Sequence, residues 1–123
     1  MSIERFKSNQ RMSQAVRSGN TLYLAGQVAP NPVPDIADQT HQILESIEQL
    51  LTLGGSCKEN LISAVIWLTD MQNFAAMNAV WDNWVAGENP PVRACVQAQL
   101  ARKELLVEIQ VIAQCKHVSG TER

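Results

Sequence analysis

The chain is expected to be a mixed α+β protein: one sheet of about six strands with two helices on one face. Three observations carry that expectation. Apolar residues fall into a strand–strand–strand–helix–strand–helix–strand–strand order, with the spacing switching between two and 3.6 residues. Ile36, Thr40, Ile43, Leu44, Ile47, Leu50 and Leu51 recur at three- and four-residue steps, the stripe of an amphipathic helix. Leu61-Ile62-Ser63-Ala64-Val65-Ile66-Trp67-Leu68 is apolar on both faces, as a strand deep in a sheet must be.

From the N-terminus, Ile3 to Lys7 fits a short edge strand. Ala15 to Ser18 and Thr21 to Ala25 flank Gly19-Asn20, a two-residue hairpin turn. Ala29-Pro30-Asn31-Pro32-Val33-Pro34-Asp35 is a proline-stiffened loop that no central strand could accommodate. The helix that follows stops at Gly54-Gly55. Ser56 with Glu59 fits a capping box on one short turn. After the 61–68 strand, Asp70 or Asn73 could cap a second helix whose stripe is Phe74, Met77, Trp81 and Val85, ended by Gly87 and Pro90-Pro91. Two strands close the chain, one through Val92 to Gln97 and one over 105–112, and the tail 116–123 is polar.

At 123 residues the chain fits a single domain spanning 1–123. Two helices can cover only one face of this sheet, yet the 61–68 and 105–112 strands read as apolar on both. The second face needs burial elsewhere, and another subunit is the economical cover.

Hydrophobic residues make up 46% and charged residues 18%, which excludes a disordered chain. A net charge of −2 gives no electrostatic reason to expect nucleic acid or an anionic membrane as partner. No apolar run reaches the ~18 residues of a membrane span, and Met1 to Arg5 lacks the pattern of a signal peptide. Cys57, Cys95 and Cys115 form neither a CxxC nor an even framework, which points to free thiols in the cytoplasm. His41 and His117 lie far apart without ligand spacing, so no metal is expected.

Two charged residues sit in apolar strands. Arg93 is flanked by Val92, Ala94, Cys95 and Val96; Glu108 lies between Val107 and Ile109. A buried charge without a partner costs several kcal/mol, so such residues pair, bind a ligand or line a cavity. One guanidinium fork and one carboxylate on neighbouring strands point to a site for a small carboxylate-bearing ligand. The plainer alternative is an Arg93–Glu108 salt bridge within the sheet.

The segment Pro91-Val92-Arg93-Ala94-Cys95-Val96, followed by Val107-Glu108-Ile109, resembles the C-terminal signature of the RidA (YjgF-type) enamine/imine deaminases. Gly26-Gln27 after an apolar strand and Asp70 through Phe74-Ala75-Ala76-Met77-Asn78 extend the resemblance over roughly residues 10 to 113. It implies a chorismate-mutase-like fold and a homotrimer with clefts between subunits. The implied activity is cofactor-independent hydrolysis of enamine/imine intermediates such as 2-aminoacrylate or 2-iminobutyrate, released by pyridoxal-phosphate dehydratases, to 2-oxo acids and ammonia.

In that resemblance Arg93 grips the substrate carboxylate, for which its planar fork is suited. Glu108 activates the water; burial would raise its pKa and a nearby arginine lower it, leaving the net direction open. Cys95, two residues from Arg93 and on the same face, lines the pocket; a lone strand cysteine is more often packing. Gly26 opens a turn beside the substrate or is a plain turn glycine, and Asn78 supports the pocket or sits at the surface. Trp67, Trp81 and Trp84 read as core or interface. Where relatives commonly carry a tyrosine and a serine, this chain has Met12 and Ala25, with Ser13 and Gln14 near enough to substitute. The rival function is a non-catalytic, chaperone-like trimer that binds small carboxylates in the same cleft. A nuclease reading fits poorly with the acidic balance and the lack of a basic or metal-binding cluster.

Overall fold

A computed structural model describes residues 2–116. The polar tail beyond Lys116, His117 included, lies outside the described residues. The elements are β1 (Ile3–Phe6), β2 (Ala15–Ser18), β3 (Thr21–Leu24), α1 (Ile36–Leu53), β4 (Leu61–Leu68), α2 (Phe74–Trp84), β5 (Val92–Gln97) and β6 (Val107–Gln114). They form the expected α+β arrangement of six strands and two helices, with sheet order β1-β2-β3-β6-β4-β5.

Local chemistry sets most boundaries. Gly19 adopts φ 61° in the β2–β3 hairpin, the left-handed turn that the Gly-Asn pair anticipates. Asp35 caps α1, its carboxylate accepting from the Ala37 and Asp38 amides. At the other end, a Cβ on Gly54 would meet the methyls of buried Leu22 at 2.5 Å, so any larger residue there must displace that side chain. Ser56 does not form the expected capping box: its hydroxyl donates to Gln114 O at 2.6 Å, and the turn Lys58–Asn60 has no side-chain cap. Satisfying a buried hydroxyl against β6 takes precedence over capping one exposed turn. Of the two candidate caps for the second helix, Asp70 caps the preceding turn Met71–Asn73 and Asn73 makes no capping bond.

β4 and β5 are parallel, every other neighbouring pair antiparallel. A parallel pair needs a crossover, which α2 supplies, and so α2 comes to lie against the strand that carries Arg93. α1 and α2 pack on one face, where Leu22, Leu24, Ile43, Ile47, Ile66 and Ile109 form the core.

The last strand departs from expectation. It runs 107–114 rather than 105–112, and its second face alternates Glu108, Gln110, Ile112 and Gln114 instead of being apolar. Leu105, expected inside the strand, is buried just before it. The helix-free face also carries apolar residues: by register it holds Tyr23, Val65, Trp67, Val92, Val96 and Ile112, with Val92 71% and Val96 47% exposed. No described helix is long and apolar enough to cross a membrane.

Candidate functional site

Strand register fixes where each charged side chain points, because residues paired across a sheet share a face. Arg93 pairs with buried Ala64 and Cys95 with buried Ile66, so both face the helices. That same-face placement is the one their two-residue spacing predicts. Glu108 pairs with Trp67 and is flanked by fully buried Val107 and Ile109, so it points to the opposite, helix-free face. β4 also lies between β5 and β6, which corrects the expectation of neighbouring strands. Through β4 the two residues stand three positions apart along the strands and two strands apart across them, about 10 Å in each direction. Within one chain Arg93 and Glu108 cannot share a ligand, nor form a salt bridge.

Arg93 sits in an aromatic seat. Its Cζ lies 5.9 Å from the Phe74 ring centroid and 5.6 Å from that of Trp81, distances at which a guanidinium is attracted to a ring face. Such contacts occupy no N–H donor. Among the described residues the only ion pair is Arg102–Glu104, so the Arg93 charge has no carboxylate partner among them. Asn78 stands one turn after Phe74 and one before Trp81, on the stripe under Arg93. Its Oδ1 is buried and unpaired, an arrangement that costs about 1–3 kcal/mol unless something donates to it. Burial raises the Cys95 thiol above its ordinary pKa, against the opposing pull of Arg93, which disfavours the thiolate that a nucleophile needs.

Glu108 has its own seat. After β3 the chain is clamped to β6 by a reciprocal pair, Gln27 N–H to Ile109 O at 2.8 Å and Ile109 N–H to Gln27 O at 3.1 Å. Gly26, one residue earlier, lies against the Glu108 side chain so closely that a Cβ there would fall 2.0 Å from Oε2. Burial raises the Glu108 pKa above the usual carboxylate range. The opposing effect of an arginine is missing because Arg93 is on the other face.

The sequence-predicted residues thus fall into two groups: Arg93, Cys95 and Asn78 on the helix side of the edge strand, Gly26 and Glu108 on the open side. Ser13 and Gln14, beside the hydroxyl-lacking Met12, each make one side-chain hydrogen bond within the chain. The Ser13 hydroxyl bonds Ser8 Oγ at 2.7 Å, and Gln14 Oε1 accepts from Gln27 Nε2 at 2.9 Å. A cleft of about 490 Å³ past the end of β5, lined by Thr69, Gln97 and Lys103 among others, includes neither Arg93 nor Glu108.

Three contributors escaped sequence reasoning. Phe74 and Trp81 read as core stripe, yet both present rings to Arg93. Gln39 is 0% exposed; its amide donates to Val33 O and Glu104 O and accepts from Leu106 N, tying two loops to the start of β6. A glutamine at a core position of α1 was the available signal.

This chain and its fold are similar to those of a known group of proteins. A family model described as "Endoribonuclease L-PSP" matches residues 2–115. A RutC family protein of Haemophilus influenzae is 40% identical over 116 residues, covering 94% of this chain and 100% of its own length. The crystal structure of NMB1025 from Neisseria meningitidis, a member of the YjgF protein family, superposes with a TM-score of 0.93 at 42% identity, covering 96% of this chain and 98% of that one. YyfA from Yersinia pestis, of the conserved Rid protein family, gives a TM-score of 0.82 at 30% identity over 87% of this chain and 90% of its own. This chain belongs to the YjgF/Rid family.

Proposed function

We propose that the protein is a cofactor-independent deaminase that hydrolyses 2-imino acids at sites formed between protomers of a homotrimer. One observation carries the reading: the unpaired guanidinium and the glycine-seated carboxylate occupy opposite faces of the same sheet, so a site using both must draw them from two copies. The exposed apolar residues on the helix-free face supply a reason for copies to associate. Closed three-fold packing repeats the same contact three times and gives three equivalent sites.

In this mechanism two N–H groups of Arg93 hold the substrate carboxylate, and Asn78 Oδ1 accepts a hydrogen bond from a polar group of the ligand. Glu108 of a neighbouring protomer accepts a proton from water as the water oxygen bonds to the imine carbon. The C=N electron pair moves to nitrogen, which takes the proton that Glu108 received, so the carboxylate is regenerated. The resulting carbinolamine collapses: its hydroxyl gives up its proton to Glu108, which passes it to nitrogen, the C–N bond breaks, nitrogen leaves as ammonia, and the carbonyl of the 2-oxo acid forms. Net, one imine and one water give one 2-oxo acid and one ammonia. The imine carbon is already electrophilic, so positioning and modest base catalysis suffice. The raised Glu108 pKa improves its match to a neutral proton transfer.

The absence of hydroxyls at Met12 and Ala25 favours a second reading, a carboxylate-binding trimer without turnover. Adding the protein to a dehydratase reaction and following imine decay separates the two. Accelerated decay that Glu108→Gln abolishes, with 2-oxobutyrate binding kept, supports the deaminase. An unchanged decay rate with wild type overturns it.

A further inference from the structure

We infer that Gln97 is a positioning residue for the Arg93 half-site, acting through the backbone of Met71. The inference rests on the reading of Arg93 as the carboxylate anchor. Gln97 follows Arg93 and Cys95 on the same face of β5, pairing with buried Leu68. Its side chain is not spent on solvent: Oε1 accepts a 3.1 Å hydrogen bond from the Met71 amide. Met71 opens the short turn that leads into α2, and an amide at that position has no partner within its own helix. Asp70 satisfies the next donor, Gln72 N, at 2.9 Å. Glutamine and aspartate thus hold the two leading amides from opposite sides, one from the strand and one from the turn.

The position of that turn matters to the ligand. Phe74 ends it and begins α2, and the Phe74 ring lies under Arg93. The strand that carries the guanidinium therefore also carries the group that sets how far away the first ring of its seat lies. Losing the bond frees the turn to drift from β5, loosening the seat without removing any atom that touches substrate. The grip on the carboxylate weakens equally in ground and transition states, which appears in KM and not in kcat.

Two variants delete the same bond from its two ends. Gln97→Leu removes the acceptor. Met71→Pro removes the donor at a first helical position, where proline is tolerated and where Asp70, at φ −146° and ψ 119°, already has the extended conformation that a following proline requires. Each is expected to raise KM for the imine, and Kd for 2-oxobutyrate, about five-fold, the ratio that one hydrogen bond of average net worth sets. kcat should stay within about two-fold, and the double variant should be no worse than either single one, since both remove one interaction. Wild-type KM and Kd in Gln97→Leu, or effects that multiply in the double variant, would overturn the inference. Gln97 is exposed, so Gln97→Leu decides alone should Met71→Pro not fold. If wild type binds 2-oxobutyrate without turning over imine, the deaminase reading fails while the Kd values still decide the role of Gln97. A wild type that neither binds nor turns over sinks both.

Discussion

Gly26→Ala is the sharpest single perturbation of the Glu108 half-site. Gly26 does not adopt a left-handed φ, unlike Gly19 and Gly55, so its backbone accommodates alanine without strain. The obstacle is the carboxylate: the new methyl would lie 2.0 Å from Glu108 Oε2 and 2.9 Å from Cδ. Restoring ordinary contact near 3.5 Å moves the carboxylate by about 1.5 Å. The colliding atoms are the far end of a flexible side chain on a half-open face, so the fold yields at little cost. Catalysis does not, because a displacement of about 1 Å at a reacting group costs on the order of 100-fold in rate. Steady-state imine decay should therefore show kcat lowered about 100-fold, while 2-oxobutyrate binding at the Arg93 half stays within about two-fold. Adding Glu108→Gln to Gly26→Ala should cause little further loss, because both act on the same carboxylate. A Gly26→Ala protein with wild-type kcat would refute the reasoning.

Other perturbations test the remaining parts. Arg93→Ala should raise Kd for 2-oxobutyrate by about 10- to 100-fold, the worth of a charged hydrogen-bonded pair, and Arg93→Lys should fall between, keeping charge but not the fork; calorimetric titration reads both. Because burial raises the Glu108 pKa and the base must be ionised, kcat should fall with decreasing pH at a point above the ordinary carboxylate range. The same shift has a stability sign. The folded state holds the Glu108 proton more tightly than the unfolded chain, so Glu108→Gln should melt higher than wild type at neutral pH. That gap should close as pH falls through the raised value toward the ordinary one. A melting difference that persists at low pH contradicts this. Gln39→Leu removes three hydrogen bonds to loop backbone and should lower stability to urea by about 3 kcal/mol, whereas a loss under about 1 kcal/mol would show that the two loops are held otherwise.

The parts of the fold governed by short-range periodicity were legible in the sequence. The Ile36–Leu51 stripe marks α1 because each step of three or four residues returns to one face, and the largely apolar run Leu61–Leu68 coincides with β4. The shared face of Arg93 and Cys95 follows from strand alternation alone. What a linear pattern does not carry is strand order. β6 inserts between β3 and β4, and only that placement, with the register Trp67↔Glu108 and Ala64↔Arg93, puts the two charges on opposite faces. Ser56 misled for a related reason: its local motif was sound, but a long-range partner on β6 claimed the hydroxyl. Phe74 and Trp81 fit a core stripe by spacing, and their role under Arg93 depends on a crossover packing that spacing does not encode.

Mixing two inactive proteins tests the division of the site most directly. Arg93→Ala and Glu108→Gln chains, unfolded together at equal amounts and refolded, should reassemble randomly into trimers, so that about one site in four pairs an intact Arg93 with an intact Glu108 from a neighbour. Imine hydrolysis should return to about a quarter of the wild-type rate, with neither variant recovering when refolded alone. A mixture that stays as inactive as its components would mean that the guanidinium and the carboxylate do not meet across a subunit boundary.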